Sequence, residues 1–213
     1  ATEDGSVGAK GNVLDAVKVA LKIGYPVILK ASAGGGGKGI RVAYNEKELV
    51  EFYDIVKQEA KISFNDDSIY IEKFIENPRH IEIQIMADEH GNCIHLGERD
   101  CTVQRKHQKM LEETPSGVIS DKLRQKMGKI AVNAVKQIGY SNVGTIEFLV
   151  DKNGNHYFIE MNPRIQVEHT VTEEVTGIDI VQSQILVAEG YSLDSEEIDI
   201  KSQDDIKVTG YAI

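Results

Sequence analysis

The chain has 213 residues, of which 41% are hydrophobic, and this is enough for one large domain or two small ones with a real core. Its 24 Lys and Arg residues against 34 Asp and Glu residues give a net charge of −10, which disfavours nucleic acid as a partner. No apolar run approaches the roughly 20 residues of a membrane span, and the N-terminus lacks the features of a signal peptide, so we expect a cytoplasmic protein without a membrane partner. The two cysteines, Cys93 and Cys101, fit neither a required disulfide nor a zinc pattern.

The first third of the sequence predicts a helix, a strand, a glycine-rich loop, a strand and a second helix. Apolar residues at helical spacing occupy 9–23, and this helix is expected to end at Gly24 because Pro26 follows. Its apolar face comprises Val13, Leu14, Val17, Ala20 and Leu21. Residues 27–31 are typical of a buried strand, in which Lys30 either meets an anion or extends to the surface.

The glycine-rich loop offers backbone N–H groups that can approach a phosphate without obstruction by side chains. Its residues are Gly34, Gly35, Gly36, Gly37, Lys38 and Gly39. No Ser or Thr follows Lys38, so the loop is not a Walker A sequence, and the strand-like residues 40–44 exclude a dinucleotide fingerprint, which opens a helix. We interpret it as a lid over phosphates, with a plain flexible hairpin tip as the alternative.

The middle of the chain predicts one helix and two half-buried strands. Asn45 resembles an N-cap with a returning carboxylate at Glu48, and the helix continues through Leu49, Phe52, Tyr53 and Val56. Residues 68–75 and 80–86 alternate at period two, with a core face made of Ile81, Ile83 and Ile85.

Residues 92–96 predict a weaker strand, and residues 97–109 lack periodicity and predict a loop. This loop either faces an anionic ligand or is simply solvated, and its basic residues are Arg99, Arg105, Lys106, His107 and Lys109. Two helices follow, over 121–138 and about 178–189. The apolar face of the first comprises Leu123, Met127, Ile130, Ala131, Ala134 and Ile138. Residues 206–213 begin a further strand, within which the chain stops, as expected for a piece of a longer protein.

The most informative stretch, residues 145–160, predicts a hairpin around Asn153 and Gly154. If these two residues form the turn, Glu147 lies directly opposite Glu160, and the like charges need a proton or a cation between them. Oxygen ligands favour Mg²⁺ or Mn²⁺, whereas the alternative is a solvated edge hairpin. Just beyond, residues 161–169 bring an amide, a guanidinium and a carboxylate together, as an anion site would.

Four blocks of the sequence, 24–39, 72–84, 97–109 and 158–169, closely resemble the ATP-grasp region of biotin carboxylase, the module of acetyl-CoA, propionyl-CoA and pyruvate carboxylases. The resemblance spans nearly the whole chain. It implies an α+β fold with a small glycine-loop lid subdomain over residues 1–74. It also implies a larger, mostly antiparallel core subdomain packed with helices over 75–213, truncated at its C-terminus.

The resemblance implies ATP-dependent carboxylation of biotin with bicarbonate, through a carboxyphosphate intermediate and with two Mg²⁺ or Mn²⁺ ions. The implied partners are a biotinylated carrier protein and a carboxyltransferase component, in an oligomeric parent enzyme. The nucleotide would contact Lys30, the loop Gly34 to Gly39, Glu72, Lys73, His80, Gln104, His107, Leu149 and Ile159. The metal ions would be held by Glu147, Glu160 and Asn162. The catalytic set would be Lys109, Arg164, Gln166, Val167 and Glu168, in which Glu168 is the base for bicarbonate and Arg164 stabilises charge on biotin.

The chain departs from the family in two respects. Pro163 stands where many members carry Thr or Ala, a change that affects no expected ligand. A preceding domain and a following segment with a further biotin-contacting arginine are missing, so this fragment is expected to bind nucleotide weakly and to turn over little. The alternatives are another ATP-grasp carboxylate–amine ligase and a nucleotide-binding module without chemistry.

Overall fold

The structure, a computed structural model, describes residues 7–9, 12–33, 39–105 and 108–213. The chain divides into two compact units, Ala1–Glu76 and Asn77–Ile213, two residues from the boundary that the sequence predicts. Among the described residues, no helix combines the length and the apolar character that crossing a bilayer requires.

Within its described residues, the first unit has a four-stranded antiparallel sheet and two helices. Its elements are β1 (Val7–Ala9), α1 (Val13–Ile23), β2 (Val27–Ala31), β3 (Ile40–Ala43), α2 (Glu46–Phe64) and β4 (Ile69–Lys73). The strand order is β1-β4-β2-β3. The N-cap prediction for α2 is confirmed, because the Asn45 side chain accepts from the backbone N–H of Glu48 at 3.0 Å.

The predicted apolar face of α1 is partly wrong. Leu14 and Leu21 are 66% and 61% exposed, whereas Ala16 and Ala20 are fully buried. Two alanines four residues apart let the helix approach the sheet closely, so the buried stripe runs along them and the two larger leucines point outward.

The part of the second unit that the structure describes has a five-stranded antiparallel sheet and three α-helices, which confirms the α+β prediction. Its elements are β5 (Arg79–Ala87), β6 (Cys93–Arg105), β7 (Gln108–Glu113), α3 (Asp121–Ile138), β8 (Asn142–Val150), β9 (His156–Asn162), α4 (His169–Thr176) and α5 (Ile180–Ala188). The strand order is β7-β6-β5-β8-β9.

One face of this sheet is apolar and packs against α3. Ile81, Ile83 and Ile85 are fully buried there, as predicted, together with Phe148 of β8 and Met127 of α3. The helix has the predicted bounds, and Gly139 ends it in a left-handed conformation. Its face is slightly rotated from the prediction, because Ile130 and Ile138 are exposed and Val135 is buried instead.

The predicted loop over 97–109 is wrong, because residues 97–105 continue β6 and Gln108 begins β7. The alternation of apolar and polar residues expected of a strand is absent from 97–105, because charged residues are buried on both of its faces. Glu98 bonds to Arg124 of α3 on one face, and Arg99 bonds to Glu82 of β5 on the other. A strand that buries polar residues on both faces shows no apolar period in its sequence.

The C-terminal predictions are also partly wrong. Helix α4 is absent from the sequence prediction because five of its eight residues are β-branched, which weakens the helical signal. Residues 206–213 form no strand. A single bridge joins Ala212 to Thr114, with backbone hydrogen bonds of 2.9 and 3.0 Å. The strand propensity of residues 206–213 is therefore not enough to form a strand, because only Ala212 pairs with another segment of the chain.

Candidate active site

The β8–β9 hairpin brings Glu147 opposite Glu160, as predicted, although by a different route. The predicted two-residue turn is wrong, because residues 151–155 form a five-residue loop in which Asp151 Oδ1 accepts from two backbone N–H groups at 2.8 and 2.9 Å. A bulge at Ile159 adds one residue to β9 and restores the register.

Charged residues from four neighbouring strands form one row across the polar face of the second sheet. Arg99 of β6 pairs with Glu82 of β5, Glu82 with Glu147 of β8, and Glu147 with Glu160 of β9. Residues directly opposite one another share a face of the sheet. Arg99 and Glu82 are fully buried and Glu147 is 5% exposed, whereas Glu160 lies at the exposed edge.

Lys109 of β7 is the cation shared by three carboxylates, of which Glu82 and Glu147 are buried and Glu168 is half-buried. Its Nζ contacts Glu82, lies 3.0 Å from Glu147 Oε1 and lies 2.6 Å from Glu168 Oε1. Burial lowers the pKa of Lys109, but the charge of Glu82 and the hydrogen bonds to Glu168 and Glu82 outweigh it and raise the pKa above its ordinary value. Lys109 is therefore fully charged at neutral pH.

Glu147 is surrounded by donors. Its Oε2 lies 2.9 Å from His80 Nε2, while its Oε1 accepts from Asn162 Nδ2 at 3.0 Å and from Gln166 Nε2 at 3.2 Å. Burial raises the pKa of Glu147, but His80 and Lys109 outweigh it and bring the pKa to about 2. The side chain of His80 is in turn oriented by Gln104 Nε2, 3.1 Å from His80 Nδ1.

The residues expected to hold metal ions lie together and have suitable chemistry. Asn162 Nδ2 donates to Glu147 Oε1 at 3.0 Å and to Glu160 Oε1 at 3.4 Å, so one amide joins the two carboxylates. The amide oxygen and nitrogen are exchangeable by rotation of the side chain. If the amide turned its oxygen inward, which would give up the hydrogen bond from Arg164 Nη2 to Asn162 Oδ1, three hard oxygen donors would converge, the ligand type that Mg²⁺ and Mn²⁺ prefer.

The segment between β9 and α4 carries the other expected catalytic residues. Glu168 directly precedes α4, and burial raises its pKa, but the hydrogen bond from Lys109 outweighs this effect and lowers it below the ordinary value. Arg164 is exposed and bonds to Ile165 O and Asn162 Oδ1 at 3.1 and 3.3 Å. Gln166 is buried, and Val167 is 92% exposed.

Several expected nucleotide contacts lie in the first unit. Lys30 Nζ of β2 lies 2.6 Å from Glu72 Oε2 and 5.9 Å from the centre of the Tyr70 ring, so Glu72 supplies the anion that this strand lysine requires. Lys73 Nζ donates to the carbonyl oxygens of Gly24 and Tyr25 at 3.1 and 2.7 Å.

The glycine loop is described only at its end. Gly39 has a φ of +67°, and a Cβ there would lie 3.0 Å from Ala31 Cβ, so this position favours glycine. The remaining predicted contacts of this loop, Gly34 to Gly37 and Lys38, and also His107, lie outside the described residues. In the second unit, Leu149 is half-buried and Ile159 is 40% exposed.

Residues 2–196 match the family described as the carbamoyl-phosphate synthase L chain, ATP binding domain. The chain belongs to this family. The domain is 53% identical over 210 residues to biotin carboxylase 1 of Bacillus subtilis, covering 98% of this chain and 45% of that protein. It is 55% identical over 190 residues to pyruvate carboxylase of Bacillus subtilis, covering 89% of this chain and 16% of that protein. The ATP-binding domain thus spans less than half the length of these relatives.

Solved structures confirm that the ATP-binding domain has the ATP-grasp fold. The biotin carboxylase domain of Hydrogenobacter thermophilus 2-oxoglutarate carboxylase, in complex with MgADP, ADP and bicarbonate, matches with a TM-score of 0.80 and 51% identity. The match covers 96% of this chain and 44% of that chain. Biotin carboxylase from Campylobacter jejuni in complex with β-γ-ATP matches with the same TM-score and identity, over 96% of this chain and 45% of that chain.

Two buried members of this ATP-binding domain's polar row, Glu82 and Arg99, were not among the predicted site residues. Glu82 lies between Ile81 and Ile83, so its side of the strand was assigned to solvent by alternation. The signal that could have identified Glu82 is the register of β5 against β8, which places Glu82 directly opposite Glu147, a predicted metal ligand. The sequence predicts Arg99 as one of the basic residues of a loop that either faces an anionic ligand or is solvated, whereas its guanidinium faces carboxylate and amide groups of the protein itself.

Proposed function

We propose that this chain is the ATP-binding part of a biotin carboxylase. The protein to which it belongs would use ATP, Mg²⁺ or Mn²⁺ and bicarbonate to carboxylate biotin on a carrier protein, for a carboxyltransferase component. The observation that carries the proposal is the pairing of Glu147 with Glu160 next to the contact between Lys109 and Glu168. The proposed metal site for nucleotide phosphates would thus lie beside a charged pair suited to bicarbonate, over the polar face of one sheet.

The residues divide into three proposed roles. Glu147, Glu160 and Asn162 would hold the metal ions, which neutralise phosphate charge when they are bound. The nucleotide itself would contact Lys30, the Gly34 to Gly39 loop, Glu72, Lys73, His80, Gln104, His107, Leu149 and Ile159. Bicarbonate and biotin would contact Lys109, Arg164, Gln166, Val167 and Glu168.

Glu168 would accept the proton of bicarbonate on a carboxylate oxygen. Its lowered pKa keeps it ionised at neutral pH but also makes it a weak base. Because Lys109 causes much of this lowering, bicarbonate must draw the ammonium group toward its own charge, and this shift strengthens Glu168 as a base at the moment of binding. Arg164, whose guanidinium is exposed, would stabilise the negative charge that develops on biotin.

Nucleotide binding tests the metal site separately from the chemistry. We expect Glu160→Gln to weaken Mg-ATP binding about tenfold, roughly 1.4 kcal/mol, while ATP without metal binds as before. Glu89→Gln, which changes an exposed carboxylate in the β5–β6 turn of the same unit, is the matched control and should leave both affinities unchanged. Equal Mg-ATP affinity in wild type and Glu160→Gln, measured by calorimetry, would contradict the proposed metal role.

The chemical role is tested with Glu168→Gln. We expect this variant to keep the affinity for Mg-ATP within about twofold and to lose bicarbonate-dependent ATP hydrolysis, because it removes the proton acceptor and the charge paired with Lys109 but none of the proposed metal or nucleotide contacts. Since the chain spans 45% of biotin carboxylase 1, we further propose that the isolated chain binds nucleotide weakly and turns over little. Turnover with free biotin near that of a full-length enzyme would refute this second proposal. If wild type does not bind Mg-ATP at all, the biotin carboxylase assignment fails.

A further inference from the structure

Arg99 has every nitrogen of its guanidinium group bonded to a side chain, although it is fully buried. Its partners are Glu82 Oε1 at 2.6 Å from Nε, Gln84 Oε1 at 2.8 Å and Thr172 Oγ1 at 3.0 Å from Nη1, and Thr145 Oγ1 at 3.2 Å and Gln166 Oε1 at 3.3 Å from Nη2. These partners come from β5, β8, the segment before α4 and α4 itself.

The partners of Arg99 are the supports of the proposed catalytic pair. One carboxylate oxygen of Glu82 accepts a hydrogen bond from Arg99, and the other accepts one from Lys109. Gln166 and Thr172 stand two residues before and four residues after Glu168. The guanidinium is therefore linked to Lys109 through Glu82. It also bonds directly to residues on both sides of Glu168 in the sequence, Gln166 and Thr172.

A buried ion pair alone would not justify this interpretation, because many such pairs serve only the fold. Arg124 gives the comparison within this unit. Its Nε donates to both oxygens of Glu98, at 2.8 and 2.7 Å, on the opposite face of the same sheet. Glu98 and Arg99 are neighbours in β6, so the two arginine–glutamate pairs lie on opposite faces of one strand, and Arg124 is half-buried whereas Arg99 is fully buried.

We propose that Arg99 is a positioning residue, which fixes Glu168 and Lys109 relative to each other. The effect of Arg99 on catalysis rests on the proposed function, whereas its anchoring of the segment around Glu168 does not. The role depends on the planar fork of the guanidinium, which presents donors in several fixed directions at once. A lysine at this position keeps the charge next to Glu82 but cannot reach Gln84, Gln166, Thr145 and Thr172 together.

Hydrogen exchange tests the structural part without any ligand. We expect Arg99→Lys to speed exchange of the backbone N–H groups over residues 166–175 at least about tenfold, while the amides of α3 stay protected, because the fork that anchors this segment is lost. Arg124→Lys is the matched control and should leave 166–175 unchanged. Thr172→Val, which is nearly isosteric and keeps the contact between Arg99 and Glu82, is a milder variant and should shift the same amides in the same direction.

Kinetics test the catalytic part. We expect the residual bicarbonate-dependent ATP hydrolysis of Arg99→Lys to show a kcat at least about tenfold lower, with KM for ATP within about twofold, and we expect Arg124→Lys to change neither value.

Unchanged exchange over 166–175 in both Arg99→Lys and Thr172→Val, or equal acceleration in Arg124→Lys, would overturn the proposal. So would a normal kcat in an Arg99→Lys protein whose exchange is accelerated. If wild type neither binds Mg-ATP nor hydrolyses it, the proposed function fails, and the exchange result alone then decides whether Arg99 positions Glu168.

Discussion

Replacing Gly128 with alanine sets two known effects of opposite sign against each other. Gly128 lies inside α3, where alanine is normally favoured over glycine by about 1 kcal/mol. A Cβ at this position, however, would lie 2.3 Å from His95 Nε2 and 2.5 and 2.6 Å from two ring carbons. Contacts this short require the ring or the helix to move.

The His95 ring has little freedom to move. It is 4% exposed, and the backbone N–H and C=O of His95 are both held by the Gln203 side chain, at 2.9 and 2.8 Å. Overpacking of such a site costs about 1 to 3 kcal/mol, and displacing this ring also disturbs the bonded backbone. We therefore expect Gly128→Ala to destabilise the protein by about 1 to 2 kcal/mol, against the helix propensity.

Urea denaturation followed by far-UV circular dichroism measures this change, since the chain has no tryptophan. Asn133→Ala, at an exposed position of the same helix, is the matched control and should stabilise by a few tenths of a kcal/mol. In a His95→Ala background, Gly128→Ala should become stabilising, because the clash is gone. Stabilisation by Gly128→Ala in the presence of His95 would refute the reasoning.

Three further predictions concern charge and packing. The pKa of Glu147 falls from its ordinary value of 4.5 to about 2, so its contribution to stability, up to about 3 kcal/mol, is complete above about pH 4.5 and is lost as the pH falls toward 2. Acid unfolding curves should show this loss, and Glu147→Gln should flatten them in that range. Lys109→Met leaves three carboxylates without their shared cation and should cost about 3 to 5 kcal/mol in urea denaturation at neutral pH. Mild acidification should recover part of this loss, because protonation of a carboxylate removes the repulsion, and no recovery would contradict the shared-cation role. Leu14→Gln, at an exposed position of α1, should change stability by less than about 0.5 kcal/mol, whereas Val56→Ala, in α2 within the buried core of the first unit, should cost about 1 kcal/mol or more. A loss from Leu14→Gln as large as that from Val56→Ala would contradict the observed orientation of α1.

Local rules allowed much of this fold to be predicted. The bounds of α3, the cap at Asn45 and the core face of β5 follow from capping residues and apolar spacing, which act within a few residues of the chain. The facing of Glu147 and Glu160 was also predicted correctly, but for an incomplete reason, because the longer turn and the bulge at Ile159 compensate for each other.

By itself, the sequence determined the class of the fold, most of its elements and the family resemblance, because spacing, caps and turns are encoded by neighbouring residues. Only the tertiary structure decided that Glu82 and Arg99 are buried and that residues 97–105 form a strand. A period of two says that the faces of a strand alternate, but not what covers each face. Whether a charged side meets water or an opposite charge depends on segments as distant in sequence as Thr172, and no local pattern contains that information.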